Sequence, residues 1–269
     1  MRWDPRYNQI FTLGALLVYG LVALDFEVQW PNVVAVLLST QLTQWLGDRR
    51  IGRRYDPRSA AISSLSLCLL LRTNSVWVAA FAGMVAIGAK FVVRVRGKHL
   101  FNPAMVGIVA AVLLTDAAWI SPGQWGNAAL AALFFASAGT TVVQRAERSD
   151  VTYAFLGFYA LLLFYRSWAV FEPVTIPVHR LQSGALLLFA FFMISDPKTT
   201  PDTRAGRILY AGIVALGAYF VHFVLFRSNG LVWSLFCCSP LVPLIDRLIP
   251  GDKYQWSGAH RPAPQLASA

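Results

Sequence analysis

Ten apolar stretches, near residues 9–24, 30–46, 59–72, 75–94, 103–115, 124–144, 150–168, 181–195, 206–226 and 229–247, leave little of this 269-residue chain for anything that faces water. A bilayer core about 30 Å thick takes roughly 20 apolar residues per helix, and fewer where a helix is broken or re-entrant. Strand-like alternation is absent from the stretches, and in lipid a helical bundle satisfies the backbone of such segments. With 57% apolar and 13% charged residues, the composition lies far outside the range of soluble domains. The longest polar interval, about 12 residues, is too short to bury a core of its own. The expected fold class is therefore an all-α polytopic membrane protein.

A formal net charge of +10 would suggest nucleic acid or an anionic substrate in a soluble chain, so the distribution of the charge decides its meaning. With the N-terminus inside, the inner loops would carry Arg2, Arg6, Arg49, Arg50, Arg53, Arg54, Arg58, Lys90, Arg94, Arg96, Lys98, Arg145, Arg148, Lys198, Arg204, Arg207, Arg247, Lys253 and Arg261. Those are 19 of the 23 basic residues, and only Arg72, Arg166, Arg180 and Arg227 would face outward. The positive-inside rule then predicts both termini inside, in a bacterial inner membrane. The charge is read as an orientation signal, and no nucleic-acid partner is expected. The amino terminus is read as a retained first helix: no small-x-small cleavage site closes it, and Asp25 and Glu27 follow at once. The Pro/Ala/Ser-rich tail, 251–269, is expected to be disordered and cytoplasmic.

The two halves of the chain resemble one another in layout. "AAISSLSLCLLL" at 60–71 and "SGALLLFAFFMI" at 183–194 are each the third apolar run in a set of five. Both are too short to cross alone, and each ends in a polar break, "RTN" and "SDP". Five helices per half would invert one half relative to the other, dividing the chain into 1–115 and 116–250. Paired short segments in inverted repeats point to a site near the midplane, although short tilted helices with polar caps would leave the same pattern.

Chemistry-bearing residues are few. All thirteen acidic residues fall in predicted loops or at helix ends, whereas ion pumps usually carry intramembrane carboxylates, so ion pumping by this chain alone is not expected. His222 is the one histidine inside a predicted helix and reads as a packing residue. Cys68, Cys237 and Cys238 lack metal-site spacing and read as buried small hydrophobes, and no metal is expected. No nucleotide-, ester- or peptide-hydrolysing motif occurs.

"FNPAMVG" at 101–107 and "SDPKTTPDTRAGRILYAG" at 195–212 resemble motifs of one family of respiratory membrane subunits. The family contains NqrB, of the sodium-translocating NADH:quinone oxidoreductase, and RnfD, of the Rnf electron-transport complex. The resemblance implies ten helices in two inverted sets of five, with short half-helices, and a flavin cofactor. Several members attach FMN through the Thr of an S-G-A-T-type outer loop. Here the corresponding loop reads "WISPGQWGN", with Ser121, Pro122 and Gly123 and no Thr after them, so no covalent FMN is expected. "SPGQWG" is similar to a divergent branch of the family that includes membrane proteins of enediyne-type biosynthetic clusters. Carried over residue by residue, Asn102 and Pro103 match the Asn-Pro motif, and Asp196, Pro197, Thr200, Gly206 and Arg207 match the Asp-Pro motif.

Each candidate also has a plainer role. Asn102 with Pro103 can cap and start a helix, and Asp202 and Thr203 can cap the ninth. Asp196 can lock the fold through Arg207 or Lys198, or belong to a site. Trp119 and Trp125 suit an interfacial belt as well as stacking on a ring, while Gly123 and Gln124 could hydrogen-bond a flavin edge. The leading expectation is an electron-transfer membrane subunit that binds a flavin (FMN or riboflavin) or a quinone non-covalently between the halves, in the bilayer, with other membrane or redox subunits as partners. The alternatives are a channel or transporter for a small solute or biosynthetic intermediate, and a cofactor-free scaffold of a membrane complex.

Overall fold

The structure, a computed structural model, describes residues 4–23, 26, 28–121, 138–144 and 146–254. Helices occupy the apolar stretches: α1 (Pro5–Ala23), α2 (Trp30–Arg50), α3 (Pro57–Leu70), α4 (Val76–Val92), α5 (Pro103–Leu114), α6 (Ser149–Ala169), α7 (Thr175–Leu181), α8 (Gly184–Leu188), α9 (Arg204–Phe223), α10 (Gly230–Cys238) and α11 (Val242–Leu248). A π-helical turn, Phe189–Met193, continues α8, and a 3-10 turn, Ser239–Leu241, joins α10 to α11. The sixth stretch, 124–144, lies outside the described residues except for a helical end at 138–144.

The helix starts follow from short polar residues ahead of the apolar runs. Asp56, Ser75, Asn102 and Thr203 each sit in extended backbone and accept a hydrogen bond from the first turn of α3, α4, α5 and α9. Proline follows at the first turn in α3 and α5, where its missing N–H costs nothing. Thr203 alone takes the cap expected of the Asp202-Thr203 pair; Asp202 makes an ion pair instead.

Strands correct the expectation of helix alone. β1 (Leu71–Thr73) pairs antiparallel with β4 (Ala118–Ile120), Leu71 opposite Ile120, and β2 (Arg94–Val95) forms a small hairpin with β3 (Lys98–His99). Segments of two or three residues are below the reach of any periodicity. The β1–β4 pair joins the end of α3 to the chain just before "SPGQWG".

By length and composition, Arg204–Phe223 and Gly230–Leu248 can each cross a membrane, and α7 with Gly184–Met193, bent by 48°, makes a third if the pair is one broken span. That is fewer than the ten stretches because several helices are short or carry polar residues. α2, for instance, buries Asn32, Thr40, Gln44 and Asp48 on its inward face, which lowers its hydropathy. Outward, large apolar side chains are bare, among them Trp30, Trp77, Trp168 and Phe171, the last 94% exposed. Unpaired apolar surface of this kind is what a helix presents to lipid.

In the first half, α2 packs on α4, α4 on α5, and α1 on α3; in the second, α6 packs on α9 and α9 on α10. α5 also packs on α10, and beside this contact Phe101 and Phe236 stack with centroids 5.0 Å apart. Charged loops converge at one end, which we call the basic end: Lys98 pairs with Asp202 and Asp246 at 2.8 Å each, and Lys253 donates to the Arg96 carbonyl.

Close helix approach rests on small residues. A Cβ at Gly107 would stand 2.5 Å from the Ala82 carbonyl oxygen and 2.9 Å from the Ala86 Cβ, whereas one at Gly88 would meet nothing within 4 Å. Gly107→Val should therefore lower stability by about 1–3 kcal/mol, seen as a lower Tm in detergent, and Gly88→Val should not. Equal losses in the two variants would contradict the α4–α5 contact.

Candidate functional site

Two helices stop inside the fold, and their loose backbone groups find partners there. α3 ends at Leu70, where the chain turns extended. The Leu70 carbonyl accepts from the Ser121 N–H at 2.7 Å, and the Arg72 guanidinium donates to the carbonyls of Cys68 and Leu71 at 2.9 and 3.1 Å. Arg72 was expected on an outer face; it is buried and serves the end of α3, as a cation can at a helix C-terminus. The second helix ends in the π-turn. There the Ala190 carbonyl accepts from the Thr152 hydroxyl at 2.8 Å, the Phe191 carbonyl from Ser195 at 2.6 Å, and the Met193 carbonyl from the Asn102 amide at 3.3 Å. Asn102 thus holds two elements at once, since its Oδ1 also caps α5 through the Met105 N–H.

A cavity of about 320 Å³ opens at the basic end beside the π-turn break. Ser59, Ser63 and Ser66 recur at helical spacing, so α3 turns a hydroxyl face into it. α2 contributes Gln44 and Asp48, α4 contributes Lys90, and the second half contributes Phe192, Asp196 and Lys198. Buried Lys90 donates to Gln44 Oε1 and Ser59 Oγ, both at 2.7 Å, and Gln44 passes the chain to Asp48 at 2.8 Å. Among the described residues Lys90 has no carboxylate within ion-pair distance, so its partners are neutral dipoles. Lys90, expected in an inner loop, lies buried within α4 instead.

Asp196 begins the turn after the π-helix. Its Oδ1 accepts from the Lys198 N–H at 3.0 Å, and its carbonyl accepts from the N–H groups and hydroxyls of Thr199 and Thr200. Burial pushes its carboxyl above the usual range, against the Lys198 N–H and the charges of Lys90, Lys198 and Arg148. His99, brought to the cavity by the β2–β3 hairpin, has a buried Nδ1 without a hydrogen-bond partner. Burial, with the charges of Lys90, Arg94 and Lys198, pushes its imidazole down to about 3, so it is neutral at neutral pH. At the mouth, Arg6 and Arg58 both pair with Asp4 and Asp56 at 2.6–2.7 Å. Burial alone would raise the Asp56 carboxyl, but hydrogen bonds from Arg58 and Arg6 hold it below its ordinary value.

A second cavity, about 290 Å³, lies beyond the π-turn toward the opposite end and is lined by Leu70, Ser121, Tyr159, Arg180, Phe189, Met193 and His222. Met193 faces this cavity while its neighbour Phe192 lines the basic one.

Of the residues singled out from sequence, Asn102, Pro103 and Asp196 line the basic cavity and Ser121 lines the second. Pro197 is buried, and Thr200 accepts from Arg148 Nε at 3.2 Å; both lie in the turn behind the cavity. Gly206 packs against Pro201 and Ile245 in the first turn of α9. Arg207 binds Asp150, with Nη2 at 2.6 Å and Nε at 2.8 Å from Oδ2, which corrects the Asp196–Arg207 lock. Lys198, the other proposed partner, sends its ammonium to the Tyr254 carbonyl. Gly123, Gln124 and Trp125 lie outside the described residues, while Trp119 is exposed as a belt residue would be. Sequence reasoning missed Lys90, Gln44 and His99. A lysine inside "FAGMVAIGAKFVV" was a usable signal, since a charge in an apolar run faces the bundle interior; nothing local marked His99.

The donors present suit a planar polar ring. Lys90, Gln44, Asn102 and three serines line one cavity, and the orphaned His99 nitrogen is a buried group that a ligand could satisfy. Comparison with known proteins gives the chain its relatives. The family described as NQR2, RnfD, RnfE matches residues 114–255. The D subunit of the ion-translocating oxidoreductase complex of Escherichia coli strain K12 is 29% identical over 158 residues, which are 58% of this chain and 42% of that protein. Its counterpart in Escherichia coli O1:K1 / APEC is 30% identical over the same shares. The chain therefore matches less than half the length of these curated relatives.

Two outcomes follow. Arg207→Gln and Asp150→Asn should each destabilise the protein and couple by about 1–3 kcal/mol in a double-mutant cycle, whereas Arg207→Gln and Asp196→Asn should add independently. Coupling between 196 and 207 in thermal unfolding would restore the lock. For His99 the folded pKa lies below the unfolded 6.5, so below that pH the unfolded chain binds a proton that the folded one does not. Stability should fall as pH drops from 6.5 toward 3, and a His99→Gln variant should show a flatter Tm between about pH 7 and 4.5.

Proposed function

Because this chain belongs to the NQR2, RnfD, RnfE family, we propose that it is an electron-transfer membrane subunit that binds a flavin or quinone non-covalently in the basic cavity, between two inverted five-helix halves. The observation that carries the reading is that cavity: polar, bounded by both halves, and set at an interrupted helix. Lys90, Gln44, Asn102 and His99 would hold the polar edge of a ring, and Phe192 and Phe91 offer apolar contact. When bound, such a ring supplies reversible uptake of electrons. The protein residues orient it and exclude bulk water.

The repeat reading gains support from packing. The second, fourth and fifth segments of each half pack in the same pairwise order, and the interrupted third segments enter from opposite ends. Convergence of Arg6, Arg53, Arg94, Lys198 and Lys253 at one end supports both termini inside, in a bacterial inner membrane. The relatives named as subunits of an ion-translocating oxidoreductase complex support other membrane or redox subunits as partners.

A second reading, a solute pathway, is favoured by one feature. The two cavities approach the π-turn from opposite ends and are separated there by Phe192 and Met193.

Protein purified in mild detergent should release about one flavin or quinone per chain on acid or organic extraction. Its intact mass should show no FMN adduct, because "SPGQWG" lacks the Thr. Lys90→Gln should weaken retention about tenfold, the size of one charge-assisted hydrogen bond. Absence of both flavin and quinone from the wild-type protein, and of binding when they are added, would move the weight to the solute pathway.

A further inference from the structure

Charge at the mouth of the basic cavity is only partly answered by the protein itself. Arg6 is held by Asp4 and Asp56, Arg94 donates to the Lys90 carbonyl at 2.6 Å, and Lys198 donates to the Tyr254 carbonyl at 2.8 Å. Arg53 and Arg54 differ. They line the same cavity, yet neither guanidinium has a hydrogen bond or ion pair to a described residue. The backbone at Arg53 is nevertheless fixed. α2 ends in a turn at Gly52, whose φ of +66° suits glycine, and the Arg53 N–H donates to the Asp48 carbonyl at 2.8 Å. The turn therefore places two consecutive arginines in the lining of the cavity. Like charge is concentrated there: Arg94 is held below its ordinary value first by burial and then by Arg53. Further in, Lys90 and Asp196 lie among the polar groups of Gln44, Ser59 and Asn102, with the Asp48 carboxylate behind Gln44.

Two guanidinium groups at the rim, unpaired among the described residues, above an interior where Lys90 and Asp196 lie among Gln44, Ser59 and Asn102, match a ligand with an anionic group at its outer end and a polar body within. Paired guanidinium groups are suited to phosphate oxygens, which they can bind bidentately. We propose that Arg53 and Arg54 form a phosphate subsite at the mouth of the basic cavity, so that its non-covalent ligand carries a phosphomonoester, as FMN does and riboflavin and quinones do not. The inference rests on the flavin reading above and adds to it the chemistry of the ligand's outer end. A phospholipid headgroup offers the same phosphate chemistry, and the test separates the two sources.

The full-length protein in detergent would be titrated with FMN and with riboflavin, following flavin fluorescence at low and high salt. FMN should bind about tenfold more tightly than riboflavin at low salt, and the preference should shrink as salt is added. The double variant Arg53→Gln, Arg54→Gln should lose the preference while binding riboflavin within about twofold of wild type. Arg50→Gln, an exposed charge on α2 outside the cavity lining, should keep the preference. Inorganic phosphate should compete with FMN and not with riboflavin. Equal binding of the two flavins by the wild type would overturn the phosphate subsite and leave the flavin reading standing. Binding of neither would overturn both. Competition by short-chain phosphatidylglycerol without competition by inorganic phosphate would assign the two arginines to lipid headgroups and overturn the subsite as well.

Discussion

Every backbone group freed by an interrupted helix in a membrane protein must find a partner within the protein, because lipid offers none. That requirement organises the centre of this molecule. The end of α3 is met by the Arg72 guanidinium and the Ser121 N–H, and the π-turn by Thr152, Ser195 and Asn102. Asn102, Thr152 and the Ser121 N–H come from other elements, so the breaks are fully met only when α5, α6 and the strand after α5 are in place. One of these partners, Asn102, also lines the basic cavity, and Ser121 lines the second.

Charges in the same region are treated in two ways. Lys98 is held between Asp202 and Asp246, and Arg207 by Asp150; these are closed pairs that fasten loops of the basic end. Lys90 and Asp196 stay open to the cavity, solvated by Gln44, Ser59 and the N–H of Lys198. A closed pair is a poor ligand site because its charges are already satisfied. An open one retains its demand for a partner, at a cost in desolvation that an ordinary core would not tolerate. The contrast explains why the Asp-Pro stretch divides in function: Asp196 faces the cavity, while Arg207, eleven positions later, is a structural cation.

The inverse case is seen at the helix contacts. Gly83 lies against Ser39 of α2 and Gly107 against Ala82 of α4, so the first half is drawn together at two places where a side chain would separate it. Tight apolar packing on this side and a polar cavity at its basic end are compatible because the small residues sit on α4 and α5 while the hydroxyl face of α3 and the inward polar face of α2 turn toward the opening.

Features that depend on neighbours along the chain were legible in the sequence by itself: helices on the described apolar stretches, caps at Asn102 and Thr203, the gathering of basic loops at one end, and the interruption after Ile194. Apolar runs, short polar caps and prolines act within a few residues, so they can be read without a fold. The sequence also marked Asn102 and Asp196, through the family motifs that contain them. Only the tertiary structure decided which charge met which. Arg207 found Asp150, 57 positions away, and Lys98 found Asp202 and Asp246, 104 and 148 positions away. Lys90 was turned inward to Gln44 and Ser59, His99 was carried to the cavity by a hairpin of two-residue strands, and Arg72 was folded back under its own helix. Partner choice of this kind depends on distances across the bundle, which are set by how α2, α4 and the interrupted helices pack and not by any local pattern.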